Sequence, residues 1–427
     1  MTNPGEKPLP LADLPARYAI EGVTPTSDGE RPVRLGVDRA TGTFIDPAGL
    51  PIADLVPSGC WITPGFVDIH VHCRDDPSGA EHHKEDYSTA SAAALQGGIV
   101  ALADMPNNPQ PPIDPESHER KVALAAERSA VDVVVYGAVA RKAGAFRRGI
   151  PWKCYFGPSV GDLHESDGLA SVLAKFRGEW VAFHAEDPDL LTAAEGAPTH
   201  EDRRPPEAER VAVARILEMA KEIGFRPHIA HLSTAGGLEE IVRARANGQA
   251  VTCEATPHHL FFDRKNRGTF PRGEWLQMNP PLRNPDDRRA IIEGLRSGAI
   301  DIIATDHAPH SRAENEKGIS GVPLLDIFAP FLGWLVEEEG FDWPTLIELA
   351  CRRPAELFAE FLPGKLGVLE EGALASYTIL DPNSSWTVDE RDVRSRAGWS
   401  PFEGVTFPAR VVGTAVRGSL YPIAAAK

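Results

Sequence analysis

The chain has 427 residues, and its 42% apolar and 25% charged residues exclude a disordered chain. Acidic side chains outnumber basic ones by 61 to 44, and the net charge of −17 opposes binding to nucleic acid and to anionic membranes. Gly and Pro, 38 of each, follow no triplet period, which excludes collagen.

Eight short apolar runs alternate with helical patterns through the middle of the chain. They predict strands at Phe66–His72, Ile99–Met105, Val131–Ala138, Trp152–Phe156, Trp180–His184, His228–His231, Ala250–Glu254 and Ile300–Asp306. The clearest helices between them are Pro206–Gly224 and Pro285–Ser297. Eight such units close a (β/α)8 barrel, and no GxGxxG turn supports the alternative, an open doubly wound sheet. We therefore predict an α/β protein with a TIM barrel.

The two ends of the chain have a different pattern. Residues 1–63 and 363–427 are rich in Gly, Pro and short β-type runs, and we predict that they form one small β domain together. The barrel then covers residues 64–362, with closing helices at Pro323–Glu339 and Trp343–Phe361.

The expected location is the cytoplasm. The first ten residues lack a basic segment followed by an apolar one, so they do not predict a signal peptide. Five scattered cysteines without a CxxC pair are typical of reduced thiols. No run is long enough to predict a membrane span.

Metal-ligand residue types lie at the ends of four predicted strands. His70 and His72 are two residues apart, so both imidazoles point to the same side of the first strand. His184, His231 and Asp306 end the fifth, sixth and eighth strands. Strand ends converge at the mouth of a barrel. Together these side chains predict a site for two divalent ions, although each histidine alone is as readily a core residue.

Lys153 is the odd residue in the apolar fourth strand. It is either a lysine at the strand edge with its amine in water, or a buried amine of lowered pKa that captures CO₂. The resulting carbamate would supply the anionic bridge that two ions need. The residues alone leave both readings open.

Several motifs resemble those of dihydroorotases in the amidohydrolase superfamily. They are PGFVDIHVHCR, AEHHKED, AALQGGIVALADMPN, HAED, RPPEAERVAVAR, HIAHLST, TPHH, NPPLR and IATDHAPHS, followed later by WSPFEG. The resemblance implies a first zinc on His70, His72 and Asp306, and a second on His184 and His231. It also implies that a hydroxide and a carboxylated Lys153 bridge the two ions.

The resemblance further implies the reaction and its substrate contacts. Asp306 would be the general acid and base in the reversible closure of carbamoyl aspartate to dihydroorotate. Arg74, Asn107 and His310 match positions that hold the substrate's carboxylate, and Asn279 matches a contact to the ring. From the residues alone, Arg74 has an alternative as the partner of the acidic side chains at 75, 76 and 85, and Asn279 as part of a turn.

Two other functions stay open at this point. One is a different cyclic-amide hydrolase, such as a dihydropyrimidinase or hydantoinase, whose uncharged substrates need no Arg74. The other is an inactive dihydroorotase-like scaffold for aspartate carbamoyltransferase. A homodimer is a further option, with Phe328, Phe331 and Trp334 either at its interface or packed against the barrel.

Some segments depart from the family's pattern. Gly318–Asp326 replaces a PGLET-like run, Ala375–Ile379 replaces an ADLVL-like run, and the expected lid loop has Ser159-Val160 where relatives often have Thr-Phe. Thr256–His259 is interpreted as a loop beyond the seventh strand, with a third metal site beside Glu254 as the less favoured reading.

Overall fold

The computed structural model describes residues 7–141, 149–158, 163 and 168–423. The strands are β1 (Arg17–Thr26), β2 (Gly29–Asp38), β3 (Thr43–Ile45), β4 (Trp61–Pro64), β5 (Phe66–Val71), β6 (Ile99–Asp104), β7 (Asp132–Val135), β8 (Gly137–Ala138), β9 (Trp152–Phe156), β10 (Trp180–Ala185), β11 (Arg226–Ile229), β12 (Thr252–Ala255), β13 (Ile302–Ile303), β14 (Tyr377–Asp381), β15 (Trp386–Thr387), β16 (Thr406–Phe407), β17 (Arg410–Val416) and β18 (Ser419–Pro422). The α-helices are α1 (Tyr87–Gln96), α2 (Pro115–Arg128), α3 (Leu169–Leu173), α4 (Pro188–Ala193), α5 (His200–Arg203), α6 (Pro206–Ile223), α7 (Ala235–Ala246), α8 (Pro257–Phe261), α9 (Pro285–Ser297), α10 (Arg312–Asn315), α11 (Phe328–Glu339), α12 (Trp343–Ile347) and α13 (Arg353–Leu357).

Strands β5 to β13 form a closed parallel barrel. β5, β6 and β7 pair in one run, and β8 to β13 pair in chain order in another. Only Tyr136 separates β7 from β8, and its N–H donates to Asp104 O at 3.0 Å. At the other junction, Val71 bridges His307, and the His72 N–H donates to His307 O at 2.8 Å. The predicted TIM barrel is confirmed.

Seven of the eight predicted strands have different bounds in the structure, and only Trp152–Phe156 keeps them. The run Val131–Ala138 is divided at Tyr136, and the eighth strand pairs only over Ile302–Ile303. The sixth strand ends before His231, and Asp306 likewise lies beyond its strand. Both residues have positive φ, 38° and 50°, a conformation that leaves the extended ladder. Their side chains line the central cavity.

The helices reflect the cap chemistry of the sequence. α6 begins at Pro206 and ends before Gly224, which adopts the left-handed conformation at φ 86°. α9 has the predicted bounds, Pro285–Ser297. The segment predicted as one helix, Trp343–Phe361, is instead α12, a π-helical turn at Glu348–Arg352 and α13.

A seven-stranded sheet combines both ends of the chain. Its order is β18-β17-β14-β4-β1-β2-β3, and β14 pairs antiparallel with β4. Tyr18, Ile62 and Tyr377 are buried in its own apolar core. The segment Ala375–Ile379 enters this sheet through β14. The domain boundaries at residues 63 and 363 stay a prediction.

The late helices do not provide the apolar dimer surface considered above. Phe328 and Phe331 are fully buried, and the Phe328 ring packs edge-on against Phe66 with centroids 5.8 Å apart. Trp334 is partly buried against the same core. Among the described residues, no helix combines the length and apolarity that a membrane span requires.

Candidate metal centre and substrate pocket

A cavity opens where the barrel strands end. It is lined by His70, His72, Arg74, Asn107, Lys153, Tyr155, His184, His231, His258, Met278, Asn279, Asp306, Ala308, Ser320, Gly321 and Val322. Of the predicted site residues, only His310 is outside this lining, and its Nε2 lies 3.3 Å from Arg74 Nη2. The loop Gly318–Asp326 therefore supplies part of the wall, whereas Ser159 and Val160 lie outside the described residues.

His70 and His72 each hold one ring nitrogen on a protein acceptor. His70 Nδ1 donates to the buried Glu254 carboxylate, and His72 Nδ1 donates to Asn107 Oδ1 at 2.6 Å. A neutral imidazole has one proton, so both Nε2 atoms carry lone pairs. Each Nε2 lies 3.2 Å from Asp306 Oδ1. Burial lowers the pKa of both histidines, which keeps them neutral.

This arrangement fits a bound cation. Two nitrogen lone pairs and a carboxylate oxygen face one another without a proton between them, and such a group repels unless a cation lies among them. Ligand atoms of His70, His231 and Asp306 lie within 4.8 Å of one another. Neutral imidazole and carboxylate are ligands that zinc prefers.

His184 and His231 form a second pair beside the first. His184 Nδ1 lies 3.1 Å from His231 Nε2, and His184 Nε2 lies 3.0 Å from Glu186 Oε2. Arg204 Nε donates to the same Glu186 oxygen at 2.9 Å. Burial lowers the pKa of both histidines. His231 thus belongs to both groups of ligands, and the division of ligands between two ions stays a prediction.

Glu254 connects the two groups from behind. Its carboxylate accepts from His70 Nδ1, from His228 Nε2 at 3.0 Å, and from the His231 backbone N–H at 3.0 Å. Burial raises its pKa, but His70 and His228 outweigh burial and lower it overall. A buried carboxylate that orients metal-binding histidines sets both their ring rotation and their tautomer.

Lys153 lies inside the cavity and not at a strand edge. Its side chain is buried, and Nζ has no hydrogen-bond partner among the described residues. Burial lowers its pKa to about 8. Nζ lies 5.5 Å from the centre of the Tyr155 ring. The neutral amine is therefore accessible at moderate pH, as carbamate formation requires.

Arg74 faces the cavity and is not paired with its acidic neighbours. Its φ of 55° is a strained conformation for a non-glycine residue. In the described part of the chain, its Nε and Nη1 are buried without a hydrogen-bond partner. Asp75 pairs instead with Arg128 at 3.0 Å and His82 at 2.6 Å. A buried guanidinium with free N–H groups suits an anionic ligand.

The remaining predicted contacts surround Arg74 and the metal ligands. Asn107 is held by His72, and Asn279 has a buried Oδ1 that meets no hydrogen-bond partner among the described residues. His310 is anchored through its backbone oxygen, which accepts from Trp399 Nε1 at 2.9 Å. The WSPFEG motif thus supports the substrate side of the cavity.

Sequence reasoning missed four residues of this site. Glu186 and Tyr155 each follow a predicted ligand by two residues, whereas Glu254 and His258 were considered only for a third metal site; sequence alone does not show which of these side chains face the cavity. The loop interpretation of Thr256–His259 is wrong, because this segment enters helix α8, which Pro257 begins.

Comparisons with known proteins agree with this geometry. Residues 61–420 match the amidohydrolase family. The chain is 36% identical to a dihydroorotase of Halobacterium salinarum, over 92% of this chain and 94% of that protein. It is 32% identical to a dihydroorotase of Pyrococcus abyssi, over 86% of this chain and 84% of that protein. Among solved structures, an L-hydantoinase (dihydropyrimidinase) from Arthrobacter aurescens matches with a TM-score of 0.82 at 26% identity. The match covers 96% of this chain and 97% of the hydantoinase chain.

Proposed function

The chain belongs to the amidohydrolase family, and on that premise we propose that it is a zinc-dependent dihydroorotase of de novo pyrimidine biosynthesis. It catalyses the reversible closure of N-carbamoyl-L-aspartate to L-dihydroorotate. The observation that carries this proposal is that Arg74, in the same cavity as the histidine and aspartate cluster, is buried with Nε and Nη1 lacking a hydrogen-bond partner among the described residues. A carboxylate clamp beside a hydrolytic centre suits an anionic cyclic amide.

The chain's own residues bind, orient and move a proton. Arg74, with His310 behind it, holds the substrate's carboxylate and thereby fixes the ring over the ligand cluster. Asp306 accepts a proton and returns it to the departing amide nitrogen. Burial raises the pKa of its carboxyl group. Two zinc ions on these ligands would lower the pKa of water and polarise the ring carbonyl.

Lys153 is proposed to be carboxylated. Its amine attacks CO₂, an N–C bond forms, one proton leaves, and the carbamate gains a negative charge that can bridge two cations. The buried Nζ, which has no hydrogen-bond partner among the described residues, supports this assignment. Growth with ¹³C-bicarbonate followed by ¹³C NMR of the purified protein tests it. A carbamate signal is expected in the wild type and absent in Lys153→Gln; equal spectra contradict it.

The central experiment compares three rings: dihydroorotate, dihydrouracil and hydantoin. We expect turnover of dihydroorotate alone, together with cyclisation of carbamoyl aspartate, and loss of both after metal removal by a chelator. The similarity to the L-hydantoinase favours a second candidate, a hydrolase of uncharged rings. Preference for hydantoin or dihydrouracil would establish that candidate and contradict the role of Arg74.

An inactive scaffold is the third outcome of the same assay. Two bound zinc ions per chain without turnover of any of the three rings would favour it over the proposed function. A homodimer, an association with aspartate carbamoyltransferase and a cytoplasmic location stay predictions. Analytical ultracentrifugation of the protein, alone and with that enzyme, tests the first two.

A further inference from the structure

His258 is a cavity residue to which the proposed reaction assigns no role. It lies in α8, directly after β12, and lines the cavity together with Met278 and Asn279. Its side chain is fully buried. Within the described residues, its Nδ1 has no hydrogen-bond partner. A buried polar atom of this kind is costly unless a ligand satisfies it.

The hydrogen bonds behind His258 determine where its proton lies. His259 Nε2 lies 3.1 Å from Pro280 O, a carbonyl that can only accept, so Nε2 of His259 carries the proton. Burial lowers the pKa of His259 to about 3, so this ring is neutral and its Nδ1 is an acceptor. Thr256 Oγ1, at 2.9 Å, must donate its single hydrogen to that Nδ1.

Thr256 Oγ1 can then only accept from His258. His258 Nε2 lies 3.1 Å from this oxygen and must be the donor. Burial lowers the pKa of His258 well below its ordinary value, so the ring has a single proton, on Nε2. The Nδ1 of this cavity-lining residue is therefore a bare acceptor. The tautomer of His258 is thus fixed by a chain of hydrogen bonds that begins at Pro280 O and passes through His259 and Thr256.

We propose that His258 is a specificity-determining residue whose Nδ1 accepts a hydrogen bond from a ring N–H of the substrate. The proposal rests on the proposed function and deepens it. Dihydroorotate and carbamoyl aspartate both present N–H groups of a ureide, whereas Arg74 on the cavity wall supplies only donors. Arg74 thus recognises the anion, and His258 recognises the nitrogen.

Two substitutions at His258 distinguish the loss of the acceptor at Nδ1 from the loss of the imidazole ring itself. In His258→Asn the side-chain amide reaches about the position of Nδ1, so its oxygen can replace the acceptor. In His258→Gln the amide reaches about the position of Nε2, so the contact with Thr256 is kept and the acceptor is lost. His118→Gln is the matched control, since its Nε2 contacts Val135 O at 3.0 Å and His118 does not line the cavity.

The expected result is a split between binding and chemistry. His258→Gln raises KM for dihydroorotate about ten- to a hundred-fold, with kcat much less affected, because the hydrogen bond is present before and during the reaction. His258→Asn keeps KM within a few-fold, and His118→Gln leaves both constants unchanged. An unchanged KM in His258→Gln would overturn the proposal.

Methylated substrates test whether the partner is an N–H group. Dihydroorotate methylated at N1, and separately at N3, is compared on the wild type and on His258→Gln, as substrate or as inhibitor. For each compound we take the ratio of KM, or of the inhibition constant, in His258→Gln to that in the wild type. For one of the two methylated compounds this ratio is expected to fall to about one, because the methyl group removes the donor. The same ratio for both compounds and for dihydroorotate contradicts the proposal.

The tautomer is tested without turnover, by ¹⁵N NMR of protein with labelled histidines, the His258 signals being assigned from His258→Gln. A bare Nδ1 and a protonated Nε2 are expected, and Thr256→Val should disturb this pattern. A protonated Nδ1 overturns the proposal. Absence of wild-type turnover on any ring refutes the proposed function, while the NMR result still decides the state of His258.

Discussion

Two walls of one cavity meet their hydrogen-bonding needs differently. The ligand wall consists of His70, His72, His184, His231 and Asp306. The recognition wall consists of Arg74, His258 and Asn279.

On the ligand wall, Glu254 and Asn107 accept from His70 and His72 and orient them, and Glu186 Oε2 lies 3.0 Å from His184 Nε2, while His231 Nδ1 has no hydrogen-bond partner among the described residues. On the recognition wall, polar atoms of Arg74, His258 and Asn279 are buried without partners among the described residues. Buried polar atoms are normally satisfied, so a missing partner points to a ligand. The protein therefore orients the first-strand histidines of the ligand wall, and under the proposed function the substrate supplies the partners that the recognition wall lacks.

The largest effect is expected from the chemistry of the ligand wall. Asp306→Asn keeps the size of the side chain but removes the group that moves the proton, so kcat for dihydroorotate should fall about 10²- to 10⁴-fold. Atomic emission should show unchanged zinc content, since the other ligands remain. Retained turnover would contradict the role of Asp306.

The recognition wall is broken most strongly at Arg74. Arg74→Met removes the proposed carboxylate clamp. We expect kcat/KM for dihydroorotate to fall roughly 30- to 1,000-fold, which corresponds to a loss of about 2–4 kcal/mol in transition-state stabilisation. Inhibition by dihydrouracil, which has no carboxylate, should change little. An equal loss for both compounds would mean that Arg74 supports the fold and does not bind the anion.

A milder change tests a residue of the ligand wall that orients a metal-binding histidine without being a ligand itself. Glu254→Gln keeps the shape of the side chain but removes the charge that faces His70 and His228, so zinc affinity should fall about 10- to 100-fold. Competition with a chelator measures this. Glu240→Gln is the control, since Glu240 is a buried carboxylate on α7 that pairs with Arg210 at 2.8 Å. Equal affinities in both variants would contradict the positioning role.

The smallest effect is expected at the neutral member of the recognition wall. Asn279→Ala removes one uncharged hydrogen-bonding group, worth about 0.5–1.5 kcal/mol, so KM for dihydroorotate should rise roughly 2- to 13-fold with kcat unchanged. Steady-state kinetics measures this rise. Asn247→Ala, at an exposed position whose side-chain amide donates to Arg243 O at 2.9 Å, should leave both constants unchanged. A change in kcat alone would place Asn279 in the chemical step.

Much of the fold was predictable because a (β/α)8 barrel repeats a local pattern. Apolar runs between helical segments give the strands, and Pro206 and Gly224 mark a helix by cap chemistry that acts within a few residues. The exact strand ends were not predictable. His231 and Asp306 leave the ladder through positive φ angles, which neighbouring strands impose and local propensity opposes.

The candidate ligands were also identified from the sequence, since His70, His72, His184, His231 and Asp306 lie at or just beyond the ends of the predicted strands. Parallel strands of a barrel end at one face, so residue order alone brings these side chains together.

The sequence by itself thus determined the barrel and predicted the candidate ligand types from local pattern, and its motifs implied a carboxylate clamp at Arg74 only through the family resemblance. Only the tertiary structure decided that Arg74 is free of its acidic neighbours, that Glu254 lies behind His70, and that His258 presents a bare nitrogen. These properties depend on hydrogen bonds between segments far apart in the chain. Such contacts are set by packing, and no local spacing encodes them.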